Sequence, residues 1–329
     1  MSLPKQQFTQ HYIEDKIYLD KKSVNTSITQ NGSYQTQSTH IQKWENEKDT
    51  DSYIANISNK DINFKGILNG YFQREGYGIS ICPKTKEIYF GYYEDDQRNK
   101  QGIYYWPRAN STSPDEMYYG FWRDNKKDNR GIYIWLHNKT NNFEEANFDA
   151  FIGEFELDSY KRGTFISKKD GKYFLYHGNF DENGNKNDNR AYFYSSENDR
   201  LIRGKIVNSM FMNGYIAFFN SDSGHIENLV YCEFELDSSI KTMVKMEDIA
   251  ENKKKFVSNE LNNFRSVILK DDIFGNVFKR YHEIMNFINT NMHNIEVFND
   301  KNKYPQIIKL CSNYKELYLF QDIEQVINI

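Results

Sequence analysis

From about residue 61 to 240 the chain alternates short aromatic runs with clusters of Asp, Asn, Glu, Lys and Gly. In runs such as Tyr89-Phe-Gly91-Tyr-Tyr93 and Ile103-Tyr-Tyr-Trp106, residues two apart share one face of a strand. Turn formers separate the runs, among them Glu94-Asp-Asp-Gln-Arg-Asn-Lys100 and Asp181-Glu-Asn-Gly-Asn185. Strand, polar turn, strand predicts a β-hairpin, here repeated several times.

An aromatic or apolar residue, any residue, then Gly opens six units: Phe64-Lys-Gly66, Tyr89-Phe-Gly91, Tyr118-Tyr-Gly120, Phe151-Ile-Gly153, Tyr176-His-Gly178 and Ile202-Arg-Gly204. Successive opening glycines are 25, 29, 33, 25 and 26 residues apart. A second small residue follows each turn: Gly76 (with Gly78), Gly102, Gly131, Gly163, Ala191 and Gly214. The opening glycine leaves a notch on the face it shares with its flanking rings. A ring from a neighbouring hairpin is expected to lie over that bare backbone. A lone hairpin is marginal in water, so the units are expected to stack, each covering the next one's rings.

The flanks differ. Residues 1–60 are polar, with scattered apolar positions (Tyr12, Ile13, Ile17, Tyr18, Trp44, Tyr53, Ile54) and no period. They read as an extended or disordered arm that orders only on a partner. Residues 241–329 nearly lose Gly, and their apolar spacing shifts from two to about 3.6. Ile249, Phe256, Leu261, Phe264 and Ile268 suggest one helix. Phe274, Val277, Phe278, Tyr281, Met285, Ile288, Met292 and Ile295 form a second stripe, preceded by Asp271 and Asp272 at its N-terminus. A third stripe (Ile307, Leu310, Cys311, Tyr314, Leu317, Tyr318) follows Pro305. About three helices are expected, packed on each other and on the last edge of the sheet.

Composition sharpens this picture. The 329 residues are polar overall, with a mean hydropathy of -0.83, and their apolar surface is concentrated in 25 Tyr and 24 Phe. Rings bury large areas while a Tyr hydroxyl stays wet, which suits thin sheets. The net charge of -4 leaves no positive field to favour nucleic acid. Cys82, Cys232 and Cys311 are far apart and form no CxxC, arguing against a disulfide framework or zinc knuckle and for a reducing compartment. No apolar leader and no 18-residue apolar stretch is present, which argues against secretion and against a membrane span.

The repeat resembles the MORN family (membrane occupation and recognition nexus), whose unit opens on Tyr-x-Gly-x-Trp/Phe and closes on a Gly-x-Gly or Gly-x-Tyr half. The best copies are Tyr89-Phe-Gly91-Tyr-Tyr93 with Gly102-Ile-Tyr104, and Tyr118-Tyr-Gly120-Phe-Trp122 with Gly131-Ile-Tyr133. Phe151-Ile-Gly153-Glu-Phe155 with Gly163 is a fair copy, and Tyr176-His-Gly178-Asn-Phe180 matches in its first half, with Ala191 replacing the closing glycine. The first and sixth copies are weaker, and Tyr231-Cys-Glu-Phe234 is a glycine-less half-copy that reads as a capping strand. The spacing varies more than the family's, so 107–114 and 137–142 are expected to bulge from an edge, as specificity loops or as neutral insertions.

The resemblance implies a mainly β fold with an α-helical C-terminal region: a single-layer row of hairpins over 61–240, plus the helices. It implies a non-enzymatic scaffold in the cytoplasm and cytoskeleton, above all in the axoneme of a cilium or flagellum, with other proteins of a large assembly as partners. Regularly spaced rings could accept a partner's strand or helix. Tyr104, Trp106, Trp122, Tyr133 and Trp135 are the candidate partner-binding residues; the plainer alternative is that these rings only stack on neighbouring hairpins.

A search for chemistry is negative. The seven histidines (His11, His40, His137, His177, His225, His282, His293) form no HExxH and no metal-ligand spacing. His177 fills the variable slot of a repeat opening and reads as a surface strand residue. Asp181–Asn189 imitates an EF-hand loop at positions 1, 3 and 5, but Lys186 stands where Gly is required and Tyr192 where Glu is required, so it reads as a long hairpin turn. There is no P-loop or dinucleotide fingerprint, and the tail resembles neither the methyltransferase nor the phosphoinositide kinase domain that some MORN proteins carry. No catalytic, cofactor or metal residue is assigned, and no cofactor is expected. The alternative reading is a membrane-associated adaptor that binds anionic phospholipid through Lys126-Lys127, Lys161-Arg162, Lys168-Lys169 and Lys253-Lys-Lys255.

Overall fold

The computed structural model describes residues 38–44, 52–58, 63–108, 114–220, 223–235, 239–270 and 272–291, with backbone alone for 38–44 and 52–58. It is mainly β, with strands β1 (Ser38–Trp44), β2 (Ser52–Ser58), β3 (Asn63–Leu68), β4 (Arg74–Ile81), β5 (Ile88–Glu94), β6 (Gln97–Trp106), β7 (Asp115–Arg123) and β8 (Lys126–Leu136). These are followed by β9 (Phe148–Glu156), β10 (Ser159–Lys169), β11 (Lys172–Asn179), β12 (Asp188–Ser195), β13 (Arg200–Val207), β14 (Met210–Phe219), β15 (Ile226–Phe234) and β16 (Ile240–Lys245). Two helices follow among the described residues, α1 (Glu251–Lys270) and α2 (Ile273–Asn291).

The described residues fall into two compact units, one from 38–129 with 282–291 and one from 130–281. In the first, β1 to β7 form an antiparallel sheet in which each strand pairs with the next. In the second, β9 to β16 do the same. In neither does the last strand pair back onto the first among the described residues, so neither sheet closes. The sheet extends further than the repeat: β1 and β2 lie within the polar arm, and β2 pairs with β3. The rest of that arm lies outside the described residues. β15, expected as a cap, is followed by one more strand, β16.

The hairpins turn tightly because of residues that tolerate left-handed backbone. Asp95-Asp96 (φ 49° and 66°), Asp124-Asn125 (49° and 69°) and Asn208-Ser209 (49° and 65°) are pairs of consecutive left-handed residues, the requirement of a two-residue I′ turn. Leu157-Asp158 has the same backbone (49° and 78°) with an exposed Leu in the first position. The polar cluster after Glu94 is therefore mostly strand: β6 resumes at Gln97 and absorbs a bulge beside Lys100, itself at φ 53°.

Register aligns the glycines. In the first unit Gly66, Gly78, Gly91, Gly102 and Gly120 are successive cross-strand partners. In the second, Gly153, Gly163 and Gly178 form one such row, and Ala191, Gly204, Gly214 and Cys232 another. The closing residue of the first copy is thus Gly78; Gly76 takes a left-handed φ of 72°.

The helices lie over the opposite face of the sheet, not on its last edge. In the second unit Phe264 of α1 stacks on Tyr192 of β12 at 4.3 Å, while Phe274 and Phe278 of α2 meet Tyr173 of β11 (4.8 Å) and Phe148 of β9 (6.0 Å). In the first unit Phe287 meets Phe90 of β5 at 5.5 Å. Val257, Leu261, Phe264 and Ile268 are the buried stripe of α1; Phe256, which the sequence placed on it, is exposed. α2 buries Phe274, Val277, Phe278, Tyr281 and Ile288 as expected, and Asp272 caps it by accepting from the Gly275 N–H at 3.1 Å. Met292, Ile295 and the third stripe from Pro305 lie outside the described residues.

Candidate functional site

The site is the glycine face of the sheet, built one repeat at a time. The Tyr89 ring folds back over Gly91 and Gly102. A Cβ on Gly91 would lie 2.5 Å from the Tyr89 hydroxyl, and one on Gly102 would lie 2.7 Å from its ring carbons. The hydroxyl donates to the Tyr92 carbonyl at 3.0 Å, and Tyr118 and Tyr176 make the same bond to Phe121 (2.8 Å) and Asn179 (2.7 Å). Phe64 and Phe151 cover their own glycine pairs without a hydroxyl. The covering ring comes from the glycine's own strand, two residues earlier, and not from a neighbouring hairpin. In the sixth copy Ile202 offers no ring, and Phe211 of the second strand covers Gly204 instead.

A second ring wedges the repeats together. It meets the first ring of its own strand edge to face: Tyr89–Tyr93 at 5.0 Å, Tyr118–Trp122 at 5.0 Å, Phe151–Phe155 at 5.1 Å and Tyr176–Phe180 at 5.2 Å. It also meets the first ring of the preceding repeat, in Phe64–Tyr93 (5.8 Å), Tyr89–Trp122 (5.6 Å) and Phe151–Phe180 (5.5 Å). Such pairs contribute about 0.5–1.5 kcal/mol each beyond burial, so neighbours stabilise neighbours.

A third component escaped the sequence reading. Arg74, Arg98, Lys127 and Lys186 are buried, each with its charge over the rings. The Arg98 guanidinium lies 5.0 Å from Tyr104, 5.0 Å from Trp122 and 5.8 Å from Tyr89. Arg74 lies 4.6 Å over Tyr93, Lys127 lies 5.8 Å from Trp106 and from Tyr118, and Lys186 lies 5.2 Å from Tyr176. Each arginine also reaches the next hairpin's turn: Arg74 donates to the Asp96 carbonyl at 2.8 Å and Arg98 to that of Asn125 at 3.1 Å. The turn answers through its side chain, with Asp96 and Asn125 accepting the backbone N–H of Arg74 and Arg98 at 2.8 Å each. The signal was a cation four residues before the closing glycine, in Arg74…Gly78, Arg98…Gly102 and Lys127…Gly131. Where the spacing shortens to three, in Tyr160…Gly163 and Phe211…Gly214, a ring replaces it.

Three of the predicted partner-binding residues belong to this interior. Tyr104 is buried and donates to Glu87 at 2.8 Å, and burial drives its phenol pKa far upward. Trp122, 4 % exposed, donates its indole N–H to the Gly102 carbonyl at 3.1 Å, and Tyr133 is buried as well. Trp106 and Trp135 are half-buried. Trp106 stacks on Tyr104 at 3.9 Å in the first unit, and Trp135 on Tyr133 at 4.2 Å in the second.

On the helix face of the second unit, Glu260 of α1 gathers donors from two strands onto one carboxylate oxygen: Arg190 at 2.6 Å, Arg203 at 3.0 Å, and Tyr192. Burial alone would raise its pKa; the bonds from Tyr192 and Arg190 and the charge of Arg203 hold it below the usual carboxylate range. Arg265 pairs with Asp199 through bonds of 3.0 and 2.5 Å. His177, read from sequence as a surface residue, is buried beneath Phe264 and pairs with the Thr164 hydroxyl at 2.9 Å; burial lowers its pKa to about 3.

The 137–147 loop is built rather than slack. Lys168 is buried beneath it and donates to the Glu144 and Ala146 carbonyls at 2.8 and 3.0 Å, and Phe143 in the loop meets Phe278 of α2 at 5.7 Å. Residues 109–113 of the other insertion lie outside the described residues. The Asp181 turn closes on itself, its carboxylate accepting from the N–H groups of Asn183 (2.9 Å) and Asn185 (2.8 Å). Among the described residues no group of three His, Cys, Asp or Glu is placed to hold a metal, and no helix is long and apolar enough to cross a membrane. No family model matches the chain, and no curated protein matches it.

Proposed function

We propose that the chain is a non-enzymatic MORN-type scaffold, a structural component of a cytoskeletal assembly such as the axoneme of a cilium or flagellum, in a radial spoke or similar complex. One observation carries the reading. Rings, glycines and buried cations are consumed in joining each repeat to the next, and each unit's glycine face is left with a half-buried stacked tryptophan, Trp106 in one and Trp135 in the other. A face made this way suits holding a partner in place, because its aromatic anchors rest on an already ordered second ring and lose little freedom on binding.

The membrane-adaptor reading is second. Lys127 and Lys168, in two of its four basic clusters, are buried against rings and carbonyls, which leaves less charge for a lipid surface. Crosslinking mass spectrometry on the native assembly tests the scaffold reading, with reproducible crosslinks to axonemal proteins expected. A soluble monomer without reproducible partners overturns it. Strong, salt-sensitive flotation on anionic liposomes favours the adaptor.

A further inference from the structure

A shallow cleft of about 630 Å³ opens in the second unit between α1 and the turn that joins β14 to β15. Gly224 and His225 line it from the turn, and Asn262, Arg265, Ser266 and Leu269 line it from the helix. Residues three, four and seven apart lie along one side of a helix, so the α1 residues form one wall about two turns long. Among the described residues no carboxylate lines the cleft.

Arg265 is held from behind. Its Nε and Nη2 donate side-on to Asp199 at 3.0 and 2.5 Å, and its guanidinium carbon lies 4.6 Å from the centre of the Phe219 ring. That fork uses two of the five N–H groups of a guanidinium. The remaining three include the end-on fork of Nη1 and Nη2. Nη1 is turned toward Gly224: a Cβ at that glycine would meet it at 3.5 Å and nothing else within 4 Å. Gly224 has a left-handed φ of 69°, so the turn passes with bare backbone and lays no side chain over the nitrogen. The Arg265 side chain, 17 % exposed, is thus oriented by Asp199 and Phe219 while its end-on donors have no protein acceptor.

Charge and shape select the guest. The charges of Arg265 and Asp199 nearly cancel, and His225 is the other ionisable group of the lining. Such a wall favours a singly charged oxyanion over a phosphate dianion. A planar carboxylate matches the end-on fork with two parallel bonds. Beside it Asn262 offers an amide that both donates and accepts, as a main chain requires, and Ser266 offers a hydroxyl. One turn further on, Leu269 is 49 % exposed and supplies an apolar surface. A carboxylate with an amide and an aliphatic side chain next to it is the end of a polypeptide.

We propose that this cleft binds the C-terminal carboxylate of a partner protein whose last residue is aliphatic. Arg265 takes the carboxylate end-on, Asn262 and Ser266 bond the last peptide unit, and Leu269 receives the terminal side chain. The cleft shares no residue with the glycine-face rings, and the proposal does not rest on the axonemal reading.

The test uses the full chain and the peptide Gly-Ser-Gly-Ala-Leu, labelled with fluorescein at its N-terminus and read by fluorescence anisotropy. Saturable binding of the free acid is expected, with the C-terminal amide about tenfold weaker because it loses a charge-assisted bond. Ser266 is exposed, so substitutions there should spare the fold. Ser266→Asp should weaken the acid about fivefold and Ser266→Lys should tighten it, with the amide indifferent to both. Opposite effects at one position cannot both come from misfolding. No saturable binding, equal binding of acid and amide, or indifference of the acid to both Ser266 variants overturns the proposal. Displacement of the peptide by inorganic phosphate at a lower concentration than by N-acetyl-leucine would assign the cleft to phosphate and also overturn it.

Discussion

Tyr89 and Trp122, 33 residues apart, meet edge to face at 5.6 Å while the Trp122 indole donates to the carbonyl of Gly102, one of the two glycines that Tyr89 covers. The pair joins one repeat to the next by ring, hydrogen bond and bare backbone at a single point. Gly102→Ala pushes a methyl into the Tyr89 ring and should cost about 1–3 kcal/mol by urea unfolding. The three nearest neighbours of that methyl all belong to Tyr89. In a Tyr89→Ala background the same change should therefore cost clearly less, a non-additivity expected of residues in contact. Additive costs would show that the ring does not fill the notch.

Arg98 should be worth more than its place near a turn suggests. Arg98→Ala removes three ring contacts and the bond to the Asn125 carbonyl, an expected loss of about 2–3 kcal/mol. Arg98→Lys should keep the charge over the rings and lose about half as much. A change within 0.5 kcal/mol for the alanine variant, the ordinary result at a surface site, would refute the assignment.

Glu260→Gln should loosen α1 from the sheet while the strands persist. The expected readout is faster amide exchange over 251–270, with β12 and β13 still protected. Because the folded-state pKa lies below the ordinary 4.5, the wild-type contribution is fully present above 4.5 and is lost as pH falls through the lower folded value. The variant should lack that component, so the two exchange profiles converge in acid.

His177 has its own acid window. Its folded pKa of about 3 against an ordinary 6.5 means that unfolding takes up a proton between those values. Stability should therefore fall as pH drops below 6.5, by about 1.4 kcal/mol per unit once the unfolded imidazole is charged. His177→Gln should flatten that slope between pH 6 and 5, where Glu260 is ionised in both states and adds little. An unchanged slope would mean that the imidazole is reached by water.

The hairpins and their glycines could be read from the chain because both are local. An aromatic–x–Gly opening and a small residue after the turn lie within one repeat; the bulge between turn and glycine, which sets Gly91 opposite Gly102 rather than Lys100, is not written in that pattern. What escaped depends on contacts between repeats or between sheet and helix. Arg74 and Arg98 stand among turn residues and look like solvated charges until the next hairpin's turn folds back onto them. His177 looks exposed on its strand because Phe264, the ring that buries it, comes 87 residues later. Phe256 entered the α1 stripe by its type, whereas the phase set by Val257, Leu261 and Phe264 turns it outward. Of the candidate site, the tandem rings were legible. Which ring of each pair faces out was not, since that depends on stacking distances of 3.9 and 4.2 Å that no spacing encodes.

Phe148 and Phe278, in contact at 6.0 Å, are 130 residues apart. During synthesis each hairpin of the second unit can close soon after it leaves the ribosome, but the aromatic face on which α1 and α2 lie has no cover until those helices exist. At about 5–20 residues per second, β9 waits roughly 6–26 s for Phe278. Over that interval a nascent sheet presents rings to solvent with its terminal strand unpaired, which makes the growing chain a client for chaperones and gives slower translation of the codons between β9 and α2 a direct cost in aggregation.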